Sequence, residues 1–244
     1  MMDFHKKVAL VTGASRGIGA RVVCLLAERG ADVVINYRSK GSRAEEVAEA
    51  VRATGRSALL AQADVTKEED LQAMRKAVLS NFSHLDILVL NASGGLEKDK
   101  PAEYAMQLNK DAQVRTVEIF SQIMRPGGCI VFITSHWAHF YGQKPVYEVY
   151  RIIAESKRAG EDVLRSRIPD LSARDIRLII VSGDMIEGTI TPRLLERAQR
   201  GILTMRRHQT GKLPTIDEFA EAIVNSIGDP NLKSGDVVFV GSTD

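Results

Sequence analysis

The stretch Thr12-Gly13-Ala14-Ser15-Arg16-Gly17-Ile18-Gly19 constrains the fold more than any other part of the chain. An apolar run at 8–11 leads into it. Ile18, Val22, Val23, Leu25 and Leu26 lead out at helical spacing. Strand, glycine turn and helix, in that order, present backbone N–H groups and a helix N-terminus to a phosphate. Glycines are required because the backbone must turn tightly and let a pyrophosphate come close. Three glycines alone say little; their position between a strand and a helix says much more.

Beyond this turn, apolar runs alternate with helical patterns. Strands are expected at 31–36, 57–61, 85–90, 129–133, 176–181 and 237–240. The first helix runs to about Arg29 and ends at Gly30. Ser42 is placed to cap a second helix that Gly55 stops, and Thr66-Lys67-Glu68-Glu69 reads as a capping box for a third, to about Asn81. A long helix is expected from about Pro101 to Met124, broken by Pro126-Gly127-Gly128, with later helices at about 148–166 and 217–227. The strands are apolar throughout rather than alternating, which suits a parallel sheet covered on both faces. Right-handed β-α-β crossovers then give a doubly wound, Rossmann-type parallel sheet in a single α/β domain.

Composition narrows the setting. The 244 residues suffice for one large domain, and 44% hydrophobic content argues against disorder. A net charge of +2 gives no reason to expect a nucleic-acid partner. No run approaches the ~18 apolar residues of a membrane span, and the N-terminal segment lacks a signal-peptide pattern. Cys24 and Cys129 read as small core hydrophobes in a reducing, cytoplasmic setting. The histidines and cysteines lack metal-ligand spacing.

In such sheets the ligand crevice lies off the carboxyl ends of the strands, so residues just after them converge. Those residues resemble the short-chain dehydrogenase/reductase family along nearly the whole chain. The resemblance rests on Thr12-Gly-x-x-x-Gly17-x-Gly19, Asp64-Val65, Asn91-Ala92-Ser93-Gly94, Asn109, Ile133-Thr134-Ser135 and Ser156-Lys157. It implies a nicotinamide cofactor held by Gly13, Ser15, Arg16, Gly17, Ile18 and Gly19, with Asp64, Val65, Asn91, Ala92 and Ser93 around the adenosine. The second strand ends Asn36-Tyr37-Arg38-Ser39-Lys40, without the carboxylate that would chelate an NAD ribose. Arg16 and Arg38, with Ser39 beside them, are instead suited to a 2′-phosphate, which favours NADP(H). Arg38 and Lys40 also read as solvated loop charges, and Asn91 as a turn residue.

The resemblance implies reduction of a carbonyl, with a tyrosine giving the proton, a lysine easing its ionisation and a serine binding the substrate oxygen. A phenol with a pKa near ~10 needs such help at neutral pH. Lys157, Ser135 and Asn109 stand where the family pattern puts the lysine, serine and helix asparagine. Four residues before Lys157, however, stands Ile153 in place of the family tyrosine. Helix geometry puts Tyr150 about 20° from Lys157 around the axis. Tyr150 therefore ranks first as proton donor, Tyr147 second and Tyr141 third. His136 and His139 are further candidates, with packing the simpler reading. The Tyr-x6-Lys spacing resembles enoyl-acyl-carrier-protein reductases and keeps C=C reduction open. The missing tyrosine also keeps open a cofactor-binding protein that has lost catalysis and acts as a sensor or partner module.

After the sixth strand the family proline is missing. Ser182-Gly183-Asp184-Met185-Ile186 opens a substrate lid at about 183–213, with Gly183, Ile186 and Thr189 expected beside the nicotinamide and Gly183 and Gly188 as hinges. Arg193, Arg197 and Arg200 share one helical face, with Arg206, Arg207 and His208 beyond. They are suited to an acidic, acyl-carrier-bound substrate, or they form a solvated lid face over a small molecule. By analogy the chain is expected to form a homodimer or homotetramer.

Overall fold

The computed structural model describes residues 3–97, 100, 101 and 103–243. In chain order the first half comprises β1 (Val8–Val11), α1 (Gly17–Glu28), β2 (Asp32–Tyr37), α2 (Gly41–Ala53), β3 (Ala58–Gln62), α3 (Glu68–Phe82) and β4 (Leu85–Leu90). Then follow α4 (Tyr104–Met106), a π-helical segment (Gln107–Asp111), α5 (Ala112–Phe120), β5 (Met124–Ser135), α6 (His136–His139), a 3₁₀ turn (Glu148–Tyr150) and α7 (Arg151–Ser166). The chain closes with α8 (Ile168–Ser172), β6 (Ile176–Gly183), α9 (Ile190–Ala198), α10 (Ile202–Thr210), α11 (Ile216–Gly228) and β7 (Val237–Val240).

All seven strands are parallel, in the order β3-β2-β1-β4-β5-β6-β7. The order reverses direction between β1 and β4, which is where a doubly wound sheet opens its crevice. Two apolar layers cover the sheet. One packs Val11, Ile35, Val89 and Val131 against α1 and α11; the other packs Leu10, Leu88, Ile130 and Ile180 against α3, α5 and α7. A third cluster, including Tyr150, Ile153, Met185, Leu195 and Ile202, sits at the carboxyl ends of the later strands. Ser135 lies in register with Gly183, and Gly183 with Val240, so the last three strands end side by side. Among the described residues no helix is long and apolar enough to cross a membrane. Both cysteines are free, Cys129 buried and Cys24 half-buried; burial pushes the Cys129 thiol up to about 12.

Several local expectations are corrected. Thr66 does not cap α3: its hydroxyl and N–H both bind the Asp64 carboxylate at 2.7 and 3.0 Å, and Lys67 is the N-cap. An aspartate two residues back outcompetes the helix end for the same groups. A capping box does form at α11, between Thr215 and Glu218. Ser42 lies inside the first turn of α2 rather than capping it. The long helix expected at 101–124 is broken by the π segment and ends in a 3₁₀ turn, Ser121–Ile123. Strand β5 already starts at Met124, paired with Leu85; a bulge then absorbs Pro126-Gly127-Gly128 before Ile87 meets Cys129.

The π segment determines how closely α7 approaches. Gly160, buried in α7, faces the Asn109 carbonyl, and a Cβ there would overlap that oxygen. Alanine in place of glycine within a helix ordinarily gains about 1 kcal/mol. Here overpacking, at about 1–3 kcal/mol, outweighs that gain. Gly160→Ala is expected to lower the urea midpoint; a raised midpoint would show that α7 moves aside freely.

Candidate active site

The glycine turn is held by side-chain amides. Gly13 N–H donates to Asn36 Oδ1 at 3.1 Å, and Asn36 Nδ2 donates onward to the carbonyls of Ala61 and Ala63. From the other side Asn91 Nδ2 donates to the carbonyls of Thr12 (2.8 Å) and Gly13 (3.2 Å). Thr12 Oγ1 accepts the N–H groups of Asn91 and Ala92 and donates to the Val89 carbonyl. Gly13 and Gly17 have φ of +63° and +58°, the left-handed region that favours glycine. At Gly19 a Cβ would lie 2.5 Å from Asn91 Nδ2. Arg16, exposed at the N-cap of α1, gives no side-chain cap. A Cβ built on Gly17 meets nothing within 4 Å. A helix N-terminus without a side-chain cap, beside open space over a glycine, is chemically matched to a diphosphate.

On the adenosine side, Arg38 is exposed and one of its NH groups donates to the Tyr104 hydroxyl of α4. Burial pushes that phenol's pKa up, while Arg38 pulls it partly back. Ser39 and Ser93 are exposed, Ser15 and Ile18 are half-buried, and Val65 is buried. Asp64 is occupied by Thr66. The Ala92 carbonyl accepts from Gln113 Nε2 at 2.8 Å. Thr12, Asn36 and Gln113 are thus site residues that the sequence reading missed. Each uses a side chain to satisfy backbone groups of a distant loop, which no local spacing reveals.

At the carboxyl end of β5, Ser135 Oγ and Tyr150 Oη lie 3.2 Å apart. Tyr150 is 4% exposed and ends the 3₁₀ turn, one residue before α7 begins. Burial pushes its phenol upward, and the Ser135 hydroxyl pulls it partly back. Lys157 is half-buried, and among the described residues its ammonium has no hydrogen bond or ion pair. Burial alone pulls it down to about 8. Ser135 and Tyr150 are therefore brought together, while Lys157 and Tyr150 do not perturb each other here. Ile153 is buried and packs where a Cβ on Gly95 would strike it. It fills the tyrosine position with core. Asn109 clamps the loop after β4: it exchanges hydrogen bonds with Gly94 and donates to Ser156 Oγ at 3.0 Å.

The segment after β6 is tied to the fold at several points. Gly183 is the last residue of β6, where a Cβ would lie 2.6 Å from Phe219. Ile186 is buried in the core beneath the sheet edge, and the Thr189 hydroxyl donates to its carbonyl. Arg206 is not a free cation. It is 5% exposed and grips the Asp184 carboxylate through Nε and a terminal nitrogen at 2.9–3.1 Å, and it also donates to the Ser242 carbonyl. Arg207 pairs with Glu187, whereas Arg193, Arg197, Arg200 and His208 are exposed. His139 binds the fully buried Glu161 carboxylate. Among the described residues no group could hold a metal ion.

His136 Nδ1 lies 2.8 Å from Ser182 Oγ. Burial pulls its pKa down to about 4, so it is neutral at pH 7. As pH falls, the unfolded chain takes this proton first, near ~6.5, and stability is lost from there towards pH 4. The loss amounts to at most about 3 kcal/mol. The urea midpoint is expected to fall between pH 7 and 4.5, and to fall less in His136→Asn. An equal fall in both proteins would remove His136 as its source.

Comparison with known proteins completes the picture. The family model for short chain dehydrogenase matches residues 7–199. A hydroxynaphthalene reductase of Aspergillus fumigatus is 40% identical over 137 residues, 53% of this chain and 50% of that protein. Versicolorin reductase 1 of Aspergillus parasiticus is 35% identical over 196 residues, covering 77% of this chain and 73% of that protein. The chain spans between 50% and 64% of the hydroxynaphthalene reductases it matches. A short chain dehydrogenase from Burkholderia cenocepacia, solved in complex with NADP, superposes with a TM-score of 0.85 at 27% identity, covering 98% of this chain and 97% of that one. The glycine turn, the crevice at the strand ends and these matches agree: the chain belongs to the short-chain dehydrogenase/reductase family.

Proposed function

We propose that this chain is an NADPH-dependent reductase of a carbonyl group, with Tyr150 as proton donor. The observation that carries the reading is the 3.2 Å pairing of Ser135 Oγ with Tyr150 Oη at the carboxyl end of β5. A carbonyl oxygen between the two hydroxyls accepts two hydrogen bonds. When bound, the reduced nicotinamide supplies the hydride that the carbonyl carbon takes up. The Tyr150 proton passes to the oxygen, giving the alcohol and leaving a phenolate. Reduction needs the protonated phenol at the start, and burial, which pushes Tyr150 upward, keeps it protonated at neutral pH. Lys157, half-buried in α7, would hold the nicotinamide ribose hydroxyls, as the family resemblance implies.

The turn from Gly13 to Gly19 and the N-terminus of α1 would hold the cofactor, and Arg16 and Arg38 would supply the charge for its 2′-phosphate. The Burkholderia relative's NADP and the lack of a carboxylate at 36–40 support that choice. The substrate we infer is an aryl ketone of two or more rings. Tyr147, Tyr150, Met185 and Leu195 gather in one apolar cluster beside Ser135, and the Aspergillus relatives are named for hydroxynaphthalene and versicolorin. An acyl-carrier substrate has less support, since Arg206 and Arg207 are neutralised within the chain. The β7 edge, with Phe239 exposed, and the α5 and α7 faces would join subunits in a homodimer or homotetramer.

With NADPH and 2-tetralone, Tyr150→Phe is expected to lower kcat by about 10²-fold or more while NADPH binding stays within twofold. Unchanged turnover in Tyr150→Phe, with loss in Tyr147→Phe, would move the proton donor to Tyr147. Arg38→Ala should weaken NADPH about tenfold or more, as loss of a charged hydrogen bond does, and leave NADH unchanged. Equal effects on both cofactors would exclude Arg38 from the 2′-phosphate.

A further inference from the structure

Trp137 is the single tryptophan of the chain, and it stands two residues after Ser135. Its ring meets Tyr150 edge-on, with centroids 5.7 Å apart and an interplanar angle of 69°, and meets Tyr147 at 5.2 Å and 66°. The Arg206 guanidinium of α10 lies over the Trp137 ring, 5.7 Å from its centroid. Arg206 is itself fixed by Asp184, at the root of the segment after β6. Helix α6, which carries Trp137, is tied down by the Ala138 N–H to Ser135 Oγ and by Arg158 to the His139 carbonyl. These contacts form a continuous path from Asp184 through Arg206 and Trp137 to Tyr150 and Ser135.

We propose that Trp137 is a positioning residue for Tyr150: its edge-on contact holds the phenol against Ser135, and Arg206 holds Trp137, so the segment after β6 sets the phenol's orientation. The proposal rests on the reading of Tyr150 as proton donor. Tyr150 sits outside α7, in a 3₁₀ turn, and among the described residues its hydroxyl is hydrogen-bonded to Ser135 alone. The Ser135 hydroxyl meets only the phenol tip, so the ring itself is held by packing. The indole edge is the aromatic part of that packing, two residues from Ser135 in sequence. Aromatic edge contacts and cations over indole rings are both attractive in buried settings. A misplaced proton donor slows the proton-transfer step, so the effect falls on kcat more than on KM.

The test compares wild type with Trp137→Ala, Trp137→Phe, Tyr150→Phe and the neutral pair Asp184→Asn/Arg206→Gln, using NADPH and 2-tetralone. Trp137→Ala is expected to lose tenfold or more in kcat with both KM values within threefold, and Trp137→Phe to regain most of that loss. The neutral pair should shift Trp137 emission and lower kcat. Should Trp137→Ala fail to fold, Trp137→Leu takes its place against Trp137→Phe. A kcat within twofold of wild type in the aliphatic variant overturns the proposal. So does a loss confined to the ketone KM, which would make Trp137 a wall of the substrate site. Unchanged emission in the neutral pair overturns the link to Arg206. An inactive Tyr150→Phe beside an active Trp137→Ala sinks the positioning role alone. A fully active Tyr150→Phe sinks the proton-donor reading with it.

Discussion

Two side-chain amides carry the turn on which the rest of the site depends. Backbone donors and acceptors that leave a sheet need partners, and a loop built to receive a ligand cannot use its own. Asn36 supplies an acceptor to Gly13 from the β2 side, and Asn91 supplies donors to Thr12 and Gly13 from the β4 side. The turn is thereby pinned between the two strands that flank β1. Gly19 is small because Asn91 occupies the space beside it. The outer face of the turn stays open.

Low dielectric governs the other half of the crevice. Tyr150, Lys157 and His136 sit in surroundings that disfavour charge, and each shifts towards its neutral form. The Asp184–Arg206 charge pair nearby is bidentate and buried. Removing either partner would strand the other, at a cost of about 3–5 kcal/mol. The pair therefore acts as an obligatory fastening rather than as a source of recognition.

The layout of β-α units was legible because continuous apolar runs and glycine stops report burial directly. The strand at 237–240 matched residue for residue. The pairing of Ser135 with Tyr150 was legible from the lysine motif and the helical period, although Tyr150 precedes α7 rather than lying in it. Among the described residues no hydrogen bond joins Tyr150 to Lys157, because angular position says nothing about distance along the axis or side-chain direction. Thr66 misled because two backbone ends compete for one hydroxyl, and the nearer aspartate won. Arg206 misled because a charged residue in an apparently solvated stripe found a buried partner 22 residues upstream. Ile153 was read as an anomaly of chemistry; its packing against Gly95 makes it an ordinary piece of core.

The segment between β6 and α11 is fastened at its roots. Asp184 N–H binds the Val240 carbonyl, Glu187 N–H binds that of Pro214, and Arg206 reaches back to Ser242. The stretch from 188 to 205 hangs between those anchors, with many of its side chains on the surface. Within it Leu195 and Ile202 are buried in the cluster that holds Tyr150. On the function proposed above, substitutions among its exposed side chains would change which substrate is accepted while the sheet and the glycine turn stand untouched.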